Sequence, residues 1–213
     1  MSLFPRYGAA MGDKKMPQNA APPEKPGATG DPDRELVIRT GQGDHRAAAM
    51  LVHRHLPKML GLARSMLGDA MEAEDVAQEV FMKVWLNAPK WQPGKARFET
   101  WMHRVAVNLC YDRLRRKREV YTGQLPDRED TSAPGAEKVM IDEQRRLRVQ
   151  DAMMGLPPRQ RAALTLCHLR HVSNIDAAMA MDISVEALES LLARGRRGLR
   201  KLLAGDAAML LED

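Results

Sequence analysis

Aromatic residues are scarce in this chain of 213 residues. Three Trp, three Tyr and three Phe make up 4% of the sequence, while a hydrophobic content of 44% is supplied mainly by Ala, Leu and Met. This composition favours helices and argues against a β-sandwich or β-barrel, whose strands prefer aromatic and β-branched residues. We therefore expect an all-α fold, made of two small helical domains joined by a flexible linker.

Cysteines and long apolar runs are also rare. Cys110 and Cys167 are the only two cysteines, so no disulfide framework can hold the fold, and the cytoplasm is the expected location. No apolar run reaches the roughly 18 residues that a membrane-spanning helix needs, and no signal peptide is recognisable. We expect a chain that does not insert into a membrane.

Sequence patterns typical of catalysis, cofactor binding and metal binding are missing as well. The chain has no Ser/His/Asp arrangement, no Gly-rich phosphate loop and no pair of carboxylates at catalytic spacing, so we expect neither an enzyme nor a bound cofactor. Cys167, His168 and His171 lie close together along the chain, but no fourth ligand and no CxxC pair accompanies them. Zinc sites need such a ligand set, and we therefore predict no metal site.

Proline and glycine divide the chain into segments. Residues 1–33 hold six of the thirteen prolines, which predicts a disordered N-terminal extension. Residues 34–118 carry apolar residues at helical spacing, with interruptions at 41–43 and at Pro57, and should form a first domain. Proline, glycine and acidic residues indicate a flexible linker over 119–136. A second helical domain is expected over 137–203, followed by a short tail at 204–213.

The helix predicted over 71–87 has an acidic face. Five acidic residues and no basic residue lie between Asp69 and Glu79, although the whole chain carries a net charge of +5. One interpretation is a solvated face whose acids stabilise the helix N-terminus. The other is a docking surface for a basic partner helix, with a methionine as an adaptable apolar contact. The docking candidates are Glu72, Asp75, Gln78, Glu79 and Met82.

The next helix, predicted over 97–118, has a basic stripe. Its core residues should be Phe98, Trp101, Met102, Val105 and Leu109. A separate arc carries Arg97, Arg104, Asn108, Tyr111, Arg115 and Arg118. Arginines neutralise phosphates, asparagine reads base edges and tyrosine stacks on unpaired bases, so this mixture favours a DNA-binding surface over a merely solvated basic face. We add Lys95 and Arg116 to the DNA-binding candidates.

The C-terminal segment has a helix-turn-helix pattern. Two prolines at 157 and 158 precede a helix predicted over 159–169, and an alanine-rich helix over 174–181 leads to a turn at 182–184. The following helix should place its first residues in the major groove, unless the segment is a helical hairpin without a DNA role. The candidates for DNA contact are Ser184, which should also cap this helix, and Glu186, Ala187, Glu189, Ser190, Arg194, Arg196 and Arg197.

The order of these motifs resembles that of the extracytoplasmic-function sigma factors, group IV of the sigma-70 family. The run AEDVAQEVFMKVW at 73–85 resembles their polymerase-docking helix, and FETWMHRVAVNL at 98–109 resembles their −10 helix. LPPRQR at 156–161 resembles the start of their −35-reading domain. The resemblance covers roughly residues 34–203. It implies a factor that carries core RNA polymerase to promoter DNA, in a stress response under the control of an anti-sigma factor.

The resemblance also implies roles for individual residues. Asp75, Gln78 and Glu79 would engage the coiled coil of the largest polymerase subunit. Asn108 and the loop at 91–97 would capture a flipped base of the −10 element, which costs a few kcal/mol of pairing and stacking before protein contacts repay it.

Two positions depart from the family pattern. Asp182 occupies the turn position where the family commonly has glycine, although aspartate tolerates a left-handed backbone less well. Glu186 and Glu189 point outward on the recognition helix, where the family usually has small and basic residues. Phosphates repel carboxylates, but glutamate can accept a hydrogen bond from cytosine N4, so we expect weak or unusual −35 recognition.

Two other functions are compatible with parts of the sequence. A stand-alone helix-turn-helix regulator would bind duplex DNA without polymerase, and would leave the acidic helix without a role. A protein-interaction module that has lost DNA binding would account for Glu186 and Glu189.

Overall fold

The computed structural model describes residues 30–92, 96–120 and 137–209. These ranges contain no strand, and the all-α prediction is confirmed. The α-helices are α1 (Arg34–Gly41), α2 (His45–Leu67), α3 (Ala70–Asn87), α4 (Phe98–Val120), α5 (Glu137–Met154), α6 (Pro158–Leu164), α7 (Asn174–Met181) and α8 (Val185–Met209). Within the same ranges, no helix has the length and apolar content to cross a membrane.

Helices α1 to α4 pack around a shared apolar core. The largest fully buried side chains of this core are Phe98, Leu51, Met59, Leu62, Met66 and Met102. The predicted break before α2 is present, and Asp44 caps α2 by accepting hydrogen bonds from the backbone N–H groups of Arg46 and Ala47. Capping of this kind satisfies N–H groups that have no partner inside the helix.

The predicted interruption of α2 at Pro57 was wrong. Pro57 lies inside the helix, which runs without a break to Leu67. A proline in a helix interior costs about 3 kcal/mol. Here the apolar face of α2 is buried on both sides of it, at Leu51 and at Met59. Packing of that face stabilises the helix more than the proline destabilises it.

Residues 30–33 belong to the fold, so the predicted disordered extension over 1–33 was too long. Asp31 Oδ2 accepts a 2.7 Å hydrogen bond from the backbone N–H of Phe98, and thereby caps α4 from a position 67 residues away. Asp33 is 1% exposed and lies 2.7 Å from His55 Nε2. The proline content predicted disorder over these residues. Composition alone does not show that Asp31 and Asp33 have partners in the folded domain. Residues 1–29 lie outside the described ranges.

Helices α5 to α8 form the C-terminal part of the structure. A regular α-helix was predicted up to Leu169, but α6 ends at Leu164 and residues 165–169 form a π-helical turn. Ser184 Oγ accepts a 3.2 Å hydrogen bond from the N–H of Ala187, so the predicted cap of α8 is confirmed.

The C-terminal boundary also differs from the prediction. Helix α8 continues to Met209 instead of ending at 203. Gly205 lies inside this helix, and its cost of about 1 kcal/mol is small beside the helix propensity of the leucines and alanines around it. Residues 121–136 and 210–213, which include most of the predicted linker, lie outside the described ranges.

Candidate polymerase-docking and DNA-binding surfaces

One face of α3 is exposed along its whole length. Met71, Met82 and Leu86 are 80%, 54% and 73% exposed, and Asp75 and Gln78 lie in the same row, also exposed. Positions three and four apart share a helix face, so these five side chains form one stripe. We call this stripe the docking face. It combines uncovered apolar side chains with a carboxylate, which is a composition suited to a protein partner.

The other two predicted docking acids point toward α4. Arg113 lies on α4, is 24% exposed, and places its guanidinium 3.2 Å from Glu72 and 3.5 Å from Glu79. Asp75 is 3.6 Å from the same group but remains 64% exposed. Burial opposes the charge on Arg113, but Glu72 and Glu79 outweigh it and raise the pKa of the guanidinium. Glu72 and Glu79 therefore join α3 to α4, while Asp75, although it is also paired with Arg113, keeps most of its surface open to a partner.

Arg113 was not among the predicted functional residues. The acidic positions 72, 75 and 79 follow helical spacing, which indicates that one cation could meet all three. The sequence did not show which of the many arginines that cation would be.

The basic stripe of α4 is only partly open. Arg97, Asn108, Arg115, Arg116 and Arg118 are exposed, as predicted for a DNA-binding surface. Arg115 lies 3.2 Å from Asp112, one helical turn away. Lys95, the remaining basic candidate of this region, lies outside the described ranges.

Two residues of the stripe contact the C-terminal helices or lie close to them. Arg104 Nη2 is 3.2 Å from Asp182 Oδ2, in the turn before α8. Tyr111 is half-buried beside Arg159 of α6, and burial raises the pKa of its phenol to about 12. Its hydroxyl has no hydrogen-bond partner among the described residues. In this arrangement Tyr111 cannot stack on a base.

Three aromatic rings cluster where α4 begins. Phe98 has its ring centroid 5.2 Å from that of Trp91 and 5.7 Å from that of Trp101. Phe98 is buried as predicted, and Trp101 and Val105 are partly buried and pack against the core. These two side chains lie at the edge of that buried face. Helix α4 also has a second buried side, which is described below. The cluster lies next to the Asp31 cap and presents Trp91 and Trp101 at the surface.

The predicted recognition face of α8 is exposed. Leu188, Leu191 and Leu192 are buried as predicted, and the exposed positions are Ser184, Glu186, Ala187, Glu189, Ser190, Arg194, Arg196 and Arg197. The backbone N–H of Glu186 and the hydroxyl of Ser184 hydrogen-bond the Glu186 carboxylate and lower its pKa. Glu186 therefore carries a negative charge at the start of the helix.

The C-terminal helices cover a second side of α4. Thr100, His103, Val107 and Cys110 are buried at helical spacing, separate from the Phe98 and Met102 side. Thr100 Oγ1 donates a 3.0 Å hydrogen bond to Asp176 of α7. Burial is the main cause that lowers the pKa of His103 from 6.5 to about 4, which leaves it neutral near pH 7.

The Cys167 region shows no sign of a metal site in the described residues, where no group of three His, Cys, Asp or Glu side chains could hold an ion. Cys167 is half-buried, and burial raises the pKa of its thiol. A neutral thiol is a poor metal ligand.

Known families match both parts of the chain. Residues 51–120 match sigma-70 region 2, and residues 146–199 match sigma-70 region 4. The chain is 32% identical over 190 residues to the RNA polymerase sigma-H factor of Pseudomonas aeruginosa, with 82% of this chain and 95% of that protein covered. The chain belongs to the extracytoplasmic-function group of the sigma-70 family.

Two further relatives place this sigma factor in the same group. It is 30% identical over 180 residues to the sigma factor SigW of Bacillus subtilis, with 80% of this chain and 96% of SigW covered. It is 33% identical over 157 residues to SigE of Mycolicibacterium smegmatis, which covers 72% of this chain and 60% of SigE. The sigma factor thus matches less than two thirds of the length of SigE.

Solved structures of sigma factors have a similar architecture. The structure of CnrH in complex with the cytosolic domain of CnrY matches 83% of this chain and 99% of that chain, with 25% identity and a TM-score of 0.63. The sigma factor RpoE of Bartonella quintana, in complex with the anti-sigma factor NepR, matches 73% and 96%, with 21% identity and a TM-score of 0.59. The second match supports the fold alone.

Proposed function

We propose that this sigma factor directs core RNA polymerase to specific promoters and initiates transcription there, in a stress or environmental response controlled by an anti-sigma factor. The polymerase performs the chemistry, and the sigma factor contributes binding surfaces but no catalytic residue. It acts in the cytoplasm, where the polymerase and the promoters are.

The docking face of α3 carries this proposal. An isolated domain gains nothing from leaving Met71, Met82 and Leu86 in water, since burying such side chains is favourable by about 1.5–3 kcal/mol each. A basic partner helix laid along α3 would bury them and meet Asp75 between them. Glu72 and Glu79 would assist indirectly, because their contacts with Arg113 hold α3 in place on α4.

Each part of the sigma factor has its own task in this proposal. Residues 34–118 dock on the polymerase and bind the −10 element, and residues 137–203 bind the −35 element. At the −10 element, the exposed arginines of α4 meet phosphates, and Asn108 with the surface at Trp91 receives the flipped base. At the −35 element, α8 enters the major groove, where Arg194, Arg196 and Arg197 meet the phosphate backbone.

The proposed docking is tested with Asp75→Lys and purified core RNA polymerase. Reversing a charge at the centre of an interface should weaken binding by about 2 kcal/mol, or roughly 30-fold. The matched control is Glu74→Lys, because Glu74 is equally exposed at 64% but its carboxylate is turned away from the docking face toward α2, 3.4 Å from Arg64. Circular dichroism confirms that both variants fold.

Equal affinity of both variants for core polymerase would refute the docking face. If the natural chain bound duplex DNA without polymerase as well, the stand-alone regulator would be the better description.

A further inference from the structure

A polar cavity lies where α2, the start of α4 and the segment 170–176 meet. Its volume is about 340 Å³, which is within the roughly 300–1,000 Å³ typical of sites that bind small molecules. The segment 170–176 leads into α7 and forms its first turn. The wall includes Arg97, one of the candidate DNA-binding residues, and is separate from the docking face of α3.

The two carboxylates of this cavity already have donors in its wall. Glu99 Oε1 lies 2.6 Å from Lys58 Nζ. The carboxylate of Asp176 accepts hydrogen bonds from the hydroxyls of Thr100, at 3.0 Å, and Ser173, at 2.7 Å. A cation that entered the cavity would have to displace these donors, so the two acids do not make it a cation site.

Arg170, in the wall of the cavity, is a half-buried cation whose hydrogen-bond acceptors are neutral. Its Nη2 donates a 2.8 Å hydrogen bond to the carbonyl oxygen of Gly61 and lies 3.4 Å from Ser65 Oγ. Burial lowers the pKa of its guanidinium, and no carboxylate of the described residues offsets this effect. An anion in the cavity would stabilise the charged form.

The cavity has an excess of positive charge. Three cationic and two anionic side chains line it: Lys58, Arg97, Arg170, Glu99 and Asp176. Burial keeps His103, which also lines it, neutral near pH 7 by lowering its pKa to about 4. Arg97 is exposed and makes no ion pair with a described residue. Because a guanidinium offers paired donors that match the oxygens of a phosphate, the unpaired charge favours a phosphate as ligand.

His171 has a left-handed backbone at the edge of the cavity. Its φ is 55°, in a region that glycine adopts more easily than residues with a Cβ atom. The backbone N–H groups before and after it donate 2.9 Å hydrogen bonds to the carbonyls of Thr165 and Leu166, which fix this conformation. The imidazole is exposed and lines the cavity. Strained residues of this kind are common at ligand-binding sites.

We propose that this cavity binds a small phosphomonoester, such as a mononucleotide or a sugar phosphate, whose phosphate is held by Arg97, Arg170 and His171. A bare phosphate would leave much of the volume to water, which takes about 30 Å³ per molecule. The organic part of the ligand fills that space beside Val172 and Ser173. The site itself does not rest on the proposed function. Its consequence for promoter binding does, because a ligand on Arg97 competes with a DNA phosphate.

Isothermal titration calorimetry of the purified full-length chain, without polymerase or DNA, tests the site. The probes are adenosine monophosphate, ribose phosphate, inorganic phosphate and sulfate at equal ionic strength. We expect saturable binding of at least one of the two phosphomonoesters with a dissociation constant below about 1 mM, and about tenfold tighter than inorganic phosphate. No saturable binding of either phosphomonoester, or an affinity no higher than that of inorganic phosphate and sulfate, would overturn the proposal.

Two variants locate the bound ligand. Arg97→Gln removes an unpaired guanidinium and should weaken binding roughly tenfold or more, which is the usual effect of losing a charge-assisted hydrogen bond. His171→Asn keeps a residue that tolerates a left-handed backbone but removes the imidazole, and should weaken binding about fivefold. Both positions are exposed, so the variants should fold, and circular dichroism checks this.

The matched control is Arg46→Gln, at an exposed arginine of α2 outside the cavity, which should leave the affinity unchanged. Binding that neither Arg97→Gln nor His171→Asn weakens would refute this cavity as the site. A chain that binds a phosphomonoester but never initiates transcription would contradict the proposed function alone. A chain that initiates transcription but binds no phosphomonoester would contradict the site alone.

Discussion

His103 lies between α4 and its neighbours, and its ionisation should couple acid to unfolding. It is 3% exposed, and burial lowers its pKa to about 4. The charged and titratable groups around it are Lys58 and His55 on α2, Glu99 on α4 and Asp176 on α7. In the unfolded chain the pKa of His103 returns to about 6.5.

The sign of the effect follows from proton binding. Between about pH 6.5 and pH 4 the unfolded chain binds a proton at His103 and the folded chain does not, so acid favours unfolding. Above this range the contribution to stability is fully present. At about 1.36 kcal/mol per pH unit, lowering the pH from about 6.5 to about 5 should lower the free energy of unfolding by about 2 kcal/mol.

The assay compares the natural chain with His103→Gln by urea denaturation from pH 5 to pH 8. Other titrating groups contribute to both curves and cancel in the difference. As the pH falls to about 5, the free energy of unfolding of the variant should therefore decrease by about 2 kcal/mol less than that of the natural chain. His53→Gln, a change at an exposed histidine of α2, is the control and should follow the natural chain. Parallel curves for the natural chain and His103→Gln would refute the argument, as would an NMR titration of His103 near pH 6.5.

Three further predictions concern single contacts. Asp33→Ala leaves the buried His55 without its carboxylate and should lower the free energy of unfolding by about 3 kcal/mol in urea denaturation; a loss below about 1 kcal/mol would contradict it. Asp31→Ala removes the cap of α4 and should cost about 1 kcal/mol, with faster hydrogen exchange confined to the first turn of α4. Glu189→Gln should raise the affinity of the polymerase complex for −35 duplex DNA roughly threefold in fluorescence anisotropy. A weaker and less cytosine-selective complex would instead show that Glu189 reads a base.

Local patterns in the sequence were sufficient to predict most helices. Apolar residues at helical spacing predicted α3 and α4 to within a few residues, and the serine before α8 predicted its cap. Such signals depend on residues within one or two turns, so a single sequence contains them. The interruption predicted at Pro57 was wrong for a related reason, because the packing around the proline outweighed its local penalty.

Contacts between distant parts of the chain could not be predicted. Asp31 caps a helix 67 residues away, and Arg161 bonds a carbonyl 95 residues away. Periodicity shows which side of a helix is apolar, but not which element covers it. The second buried side of α4 includes the polar Thr100 and His103, so the sequence did not mark it as core. For the same reason the sequence did not show that Tyr111 would be half-buried.

The docking candidates show what the structure added to a correct local pattern. The acidic stripe of α3 was visible in the sequence, but its five candidates were treated alike. In the structure, Glu72 and Glu79 are paired with Arg113 on α4, whereas Asp75, Gln78 and Met82 are exposed. This division turns a general expectation of docking into a choice between Asp75 and its neighbour Glu74 that mutagenesis can decide.

The most direct test of the central claim is run-off transcription with purified core RNA polymerase over a library of genomic promoter fragments. The natural chain should produce transcripts with defined start sites from a small subset of fragments, and Asp75→Lys should strongly reduce their yield while Glu74→Lys does not. Absence of any transcript, under conditions in which another sigma factor initiates with the same core enzyme and its own promoter, would contradict the account.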